Sequence, residues 1–153
     1  MLITTTHFGE VEVDENSIIH FEEGLLGFEN VKKFVMLDCT DNGETFKVMQ
    51  AVEKPYPSFA VINPFEVSSD YEVEIDELTK ENLAIKDSNE VTICSIVTIP
   101  EKITRMSANL LAPVVINTTN NKARQMVMQN STYTTKHYIL DEVLNTVFPK
   151  KAV

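Results

Sequence analysis

The sequence predicts a mainly β protein, a small antiparallel β-barrel-like domain with one or two short helices. Three observations carry that reading. Apolar and polar residues alternate with a period of two in many short runs, Asn, Asp, Ser, Pro and a few glycines punctuate them, and only two stretches change to a helical period. So many short strands favour closure into a barrel, because closure removes unpaired edges.

The elements follow in order. "EVEV" (Glu10–Val13) alternates strictly, with Val11 and Val13 on one face. "SIIHF" (Ser17–Phe21) is the next strand. "KFVMLDC" (Lys33–Cys39) and "TFKVMQAV" (Thr45–Val52) flank Asn42-Gly43, a hairpin signal because both residues accept a positive φ at little cost. In the second of these, Phe46, Val48, Gln50 and Val52 share one face, and Lys47, Met49 and Ala51 the other. "SFAVINP" (Ser58–Pro64) is a strand closed by proline, and "YEVEI" (Tyr71–Ile75) alternates again with Glu72 and Glu74 outward. "DELTKENLAI" predicts a helix over 76–85 capped by Asp76, with Leu78, Leu83 and Ile85 as its apolar contacts. "EVTICSIVTIP" (Glu90–Pro100) is apolar and β-branched on both faces, so it is expected to be central. "PVVIN" and "KARQMVMQ" pair across a polar turn. At the C-terminus, Leu140, Val143, Leu144 and Val147 recur at helical steps, which predicts an amphipathic helix over 136–148, ended by Pro149. That helix either covers an open barrel end or packs on a partner. No repeat or linker interrupts the chain, and 153 residues fit one domain, 1–153.

Composition narrows the function. No apolar run reaches the ~20 residues that cross a bilayer, and the N-terminus does not read as a signal peptide, so a cytoplasmic protein is expected. Cys39 and Cys94 lack a CxxC or a neighbouring histidine and read as small hydrophobes. His7, His20 and His137 fall in separate elements without metal-ligand spacing, so neither a metal nor a cofactor is expected. Nucleophile-elbow and phosphate-loop motifs are absent, and no acid–base pair can be named, which points away from an enzyme. "GLLGFE" reads as a sharp turn that aims Leu25, Leu26 and Phe28. The net charge is −10 and uneven: residues 1–100 carry 20 acidic and 6 basic side chains, residues 101–153 carry 3 and 7. Such a surface repels nucleic acid and attracts a basic partner.

Five segments in register resemble the FliW family of flagellar assembly factors: "IIHFEEGLLGFE", "PYPSFAVINPF", "SIVTIP", "MSANLLAPVVIN" and "ARQMVMQNSTYTTKH". Together they run from about residue 18 to 137. Met49-Gln50-Ala51 and Ser107 depart mildly from the family pattern, and the C-terminal helix is the least alike part. The resemblance implies a small β-barrel-like fold and a non-enzymatic binding protein. It implies two partners, flagellin and the CsrA dimer, a small basic RNA-binding translational repressor, with no direct binding of nucleic acid or membrane. An alternative is a β-barrel RNA-binding module acting directly on transcripts.

Against that function, Asp70, Glu72, Glu74, Asp76 and Glu77 form the densest acidic run and are the expected CsrA-facing patch. Flagellin's amphipathic ends call for an apolar surface. Phe28, Met49, Phe65 and Leu110-Leu111 are its candidates; Phe28 is favoured because turns expose side chains, and Leu111, with the bend around Asn109, because a proline two residues on holds it near an edge.

Overall fold

The computed structural model describes residues 1–38, 46–129 and 131–147, with the side chains of 145–147 excepted. Cys39, the Asn42-Gly43 turn and Pro149 lie outside the described residues. An N-terminal hairpin comes first: β1 (Leu2–Thr5) and β2 (Gly9–Glu12), paired antiparallel. A seven-strand ring follows. Its members are β3 (Ile19–Phe21), β4 (Lys33–Asp38), β5 (Phe46–Ala51), β6 (Ser58–Ile62), β7 (Val91–Thr98), β9 (Val114–Asn117) and β10 (Lys122–Gln125). The ring runs β7-β6-β5-β4-β3-β10-β9 and closes back from β9 to β7. Two short strands, β8 (Ser107–Ala108) and β11 (His137–Tyr138), extend from β7 outside the ring.

The mainly β barrel expected from the sequence is thus the observed fold. Among the described residues every strand pairing is antiparallel except one: β10 lies parallel to β3, Lys122 opposite His20 and Ala123 opposite Phe21. β7 is central, because it pairs with β6, β8 and β9.

Inward positions fill the ring. Phe21, Leu25, Phe34, Met49, Val61, Cys94, Val114 and Ile116 form the main core, with Phe21 and Phe34 edge to face at 5.3 Å. Burial pushes the Cys94 thiol up to about 12, so it stays a neutral hydrophobe. The outward face is covered as well, which explains why β5 and β7 lose polar alternation. Ile3 and Val13 of the N-terminal segment pack on Val35 and Val52. Helices α1 (Pro64–Val67) and α3 (Leu140–Val147) close a second cluster around Ile62, Val97, Ala108, Leu110, Ile139 and Val143. Helix α2 (Glu77–Leu83) closes a third, placing Leu83 on Val115 and Met126.

Several expectations need correction. Three short α-helices are described rather than one or two. The extra one, α1, starts where Asn63 caps and Pro64 occupies the first turn, a signal the strand reading absorbed as a stop. In α2, Asp76 accepts the cap bond from Thr79 N–H at 2.8 Å, as the sequence suggested, but Leu78 faces solvent rather than the core. Residues 71–75 belong to no ladder. The C-terminal helix is described from Leu140, and His137 with Tyr138 pairs as β11 instead. It packs against α1 and the turn at Ile103–Arg105.

Candidate functional site

The acidic run lies on an extended stretch that looks like a strand but pairs as none. Tyr71 is buried and Val73 and Ile75 half-buried, while Glu72, Glu74 and Asp76 face outward, so the period of two is real. Its edge is occupied by one side chain. The Tyr133 hydroxyl accepts from Glu72 N–H at 3.0 Å and donates to the Asp70 carbonyl at 3.2 Å. A phenol therefore satisfies backbone groups that a neighbouring strand would otherwise bond. The Tyr133 ring meets Tyr71 edge to face at 4.7 Å, and Tyr71 in turn meets Phe65 at 5.5 Å.

Tyr71 also ties this stretch to the bend at Asn109. Its hydroxyl donates to the Leu110 carbonyl at 2.7 Å, and burial pushes its phenol far above its ordinary value, with Tyr133 adding to the rise. The bend is built as its sequence implied: the Asn109 side-chain oxygen accepts from Ala112 N–H at 3.0 Å. Leu110 and Leu111 N–H groups both donate to the Thr134 carbonyl, and Met128 N–H donates to the Leu111 carbonyl at 2.9 Å. Residues 126–129 and 131–134 are thereby held between the bend and the acidic stretch.

These contacts leave a cleft of about 470 Å³. Glu72, Glu74 and Asp76 line one wall; Met126, Val127, Met128 and Gln129 line the other, and Ser131 to Tyr133 close it. Met126 is buried, Met128 half-buried and Val127 exposed. No lysine or arginine is among the described residues that line it. The Thr79 side chain holds the Asp76 carboxyl below the usual carboxylate range against the opposing effect of burial, and the Thr79 backbone N–H and Arg124 add smaller lowering effects. Three charged carboxylates over a methionine floor can grip a basic, partly apolar protein segment, since unbranched thioethers repack around varied side chains.

The structure brings some of the sequence candidates together and separates others. Glu72, Glu74 and Asp76 line the cleft. Asp70 reaches its end through a backbone carbonyl, and Phe65 stands at the exposed end of the aromatic row. Asn109 and half-buried Leu111 lie behind Met128. Glu77 is exposed on the first turn of α2, paired with Lys80 at 3.3 Å, and lines no part of the cleft. Phe28 is elsewhere, half-buried against Phe59 at 5.2 Å. Two candidates are corrected outright. Met49 points into the ring with no exposure, and Leu110 is 1% exposed in the outer cluster, so neither can meet a partner in this fold. Sequence reasoning missed Met126, Val127, Met128 and Tyr133. The run "MVM" is apolar throughout and reads as the tail of a strand, whereas the strand stops at Gln125.

A family model described as FliW protein matches residues 2–139 of this chain. The flagellar assembly factor FliW of Ruminiclostridium cellulolyticum is 38% identical over 143 residues, covering 94% of this chain and 97% of the relative. That of Thermoanaerobacter pseudethanolicus is 42% identical over 147 residues, covering 95% and 97%. A crystal structure of the flagellar assembly factor FliW superposes with a TM-score of 0.83 at 33% identity, over 99% of this chain and 100% of that one.

Proposed function

The chain belongs to the FliW family of flagellar assembly factors, and from that premise we propose that it acts in the cytoplasm by binding, not by catalysis, with flagellin and the translational repressor CsrA as its two partners. Free flagellin occupies the protein; once flagellin is secreted, the protein captures CsrA and lifts its repression of flagellin translation. The observation that carries this reading is the acidic cleft. Its carboxylates match a basic dimer, and its methionine floor adds apolar contact that survives salt screening. Flagellin's amphipathic helical end takes the neighbouring apolar side chains, exposed Phe65 and half-buried Leu111.

The test is calorimetry with CsrA, with flagellin, and with each in the presence of the other, at low and high salt. CsrA affinity is expected to fall as salt rises. An affinity that stays flat removes the electrostatic account. A gel shift with flagellin leader RNA completes the test: this protein releases RNA from CsrA and shifts no RNA alone. A shift by the protein alone makes it an RNA-binding module instead.

A further inference from the structure

One edge of the extended stretch 70–76 is only partly used. Tyr133 takes the Glu72 N–H and the Asp70 carbonyl, and in an extended chain alternate residues turn their N–H and C=O groups to the same edge. The Glu72 carbonyl, both backbone groups of Glu74 and the Asp76 N–H therefore follow on that edge. None of them has a hydrogen-bond partner among the described residues. Tyr133 keeps a strand of this chain from Asp70 and Glu72, but its hydroxyl satisfies only those two groups.

This edge borders the acidic cleft, since Glu72, Glu74, Asp76 and Tyr133 all line it. The acidic residues stand two apart on an extended chain, about 6.6 Å from one to the next. Neither Glu72 nor Glu74 has an ion-pair partner among the described residues. Across the cleft Val127 is 42% exposed and Met128 half-buried, so apolar surface is reachable from the same opening.

Open strand edges pair with other chains, and charge selects among them. A second copy of this chain brings the same carboxylates and is repelled. A strand with cations at alternate positions is attracted.

We propose that a partner segment of alternating basic and apolar residues adds to this edge as an antiparallel strand. This rests on the cleft's being the contact for a basic partner, and adds the conformation in which that partner binds. Glu74 exchanges both backbone bonds with the central partner residue. The Glu72 carbonyl accepts from the N–H two residues to one side, and the Asp76 N–H donates to the carbonyl two residues to the other. Basic side chains then stand opposite Glu72, Glu74 and Asp76. The apolar ones between them turn to the face that Val73 and Ile75 share with Met128. Tyr133 ends the ladder at Glu72.

The experiment titrates the intact, isotope-labelled chain with three acetylated and amidated peptides and follows the Glu74 and Asp76 amides by NMR. The peptides are Lys-Val-Lys-Val-Lys, its block isomer Lys-Lys-Lys-Val-Val, and the alternating peptide N-methylated at its central lysine. Calorimetry with CsrA in the presence of the alternating peptide is the second readout. The alternating peptide should saturate, move both amides downfield as they gain acceptors, and lower the apparent affinity for CsrA. The isomer and the methylated peptide should bind about fivefold more weakly or worse. No saturation, equal affinity for the three peptides, or shifts that pass over Glu74 and Asp76 overturn the proposal. Equal affinities alongside weaker CsrA binding by a Glu72→Gln, Glu74→Gln variant remove strand pairing and keep the cleft as the CsrA contact. Strand-like binding that leaves CsrA affinity unchanged keeps the strand edge and removes CsrA from it.

Discussion

Replacing Glu72 and Glu74 together by glutamine tests the acidic cleft with little structural side effect. Both side chains are exposed, neither makes a described hydrogen bond, and the backbone contact of Glu72 with Tyr133 does not depend on its carboxylate. Asp76 is left in place because it caps α2. Exposed ion pairs are worth ~0.2–1 kcal/mol each, so two lost pairs cost about 0.4–2 kcal/mol of binding. At about 1.4 kcal/mol per decade, that is roughly a two- to thirtyfold rise in Kd for CsrA at low salt. Charges separated by more than the Debye length, about 10 Å at 0.1 M, are screened, so the gap between parent and variant should narrow as salt rises. Calorimetry at two ionic strengths measures both effects, and thermal melting should find the variant as stable as the parent. Identical affinities at low salt, or a gap that persists at high salt, would refute the reasoning.

Four further outcomes are expected. Leu111→Asp should weaken flagellin binding in a pull-down while the far-ultraviolet circular dichroism stays native; loss of the folded spectrum would return Leu111 to a purely structural role. Tyr71→Phe leaves the Leu110 carbonyl without its donor and should cost about 1–3 kcal/mol, a fall of roughly 2–4 °C in Tm per kcal/mol for a chain of this size. The Tyr71 phenol is raised above its ordinary ~10, so its contribution is complete below that value and fades as pH climbs from there toward the folded-state value. Tyr71→Phe should therefore flatten part of the alkaline loss of stability, and an unchanged alkaline limb in melts from pH 9 upward would contradict this. Asp76→Ala should cost ~0.5–2 kcal/mol by removing the α2 cap. Because its folded carboxyl is lowered, that contribution is present above the ordinary aspartate value and is lost as pH falls through the folded one, so parent and variant melts should converge in acid. Gly24→Ala forces a φ of +68° on a side chain and sets its Cβ 2.6 Å from the Glu29 Cα. The left-handed conformation alone costs about 1–2 kcal/mol, so a drop in denaturant midpoint is expected, and a neutral result would mean that the turn can rearrange.

Local signals were strong wherever a backbone preference or a cap decides the matter. The strands β2, β4 and β5, the β9–β10 hairpin, the Asp76 cap, the Asn109 turn and the central place of β7 all follow from residues within one element or its neighbour. The charge imbalance and the five family segments likewise needed no coordinates. Period two, however, divides a strand into two faces without saying which one is inside. On β5 the closure from β9 to β7 turned Met49 inward, so a candidate contact became core.

The cleft shows the same limit more sharply. Residues 71–75 carry a strand pattern, and the local chain raises no objection to a strand there. What prevents pairing is Tyr133, whose hydroxyl bonds both the Glu72 N–H and the Asp70 carbonyl from 61 and 63 residues away. A β-rich, acidic member of a recognisable family, with its acidic run, is legible in the chain alone, because composition and alternation are local properties. It takes the folded barrel to set Glu72, Glu74 and Asp76 facing Met126, Val127 and Met128 across a cleft, and Lys122 opposite His20 across a parallel junction. Those juxtapositions depend on which distant segments the barrel's closure brings side by side, and no short-range pattern encodes that choice.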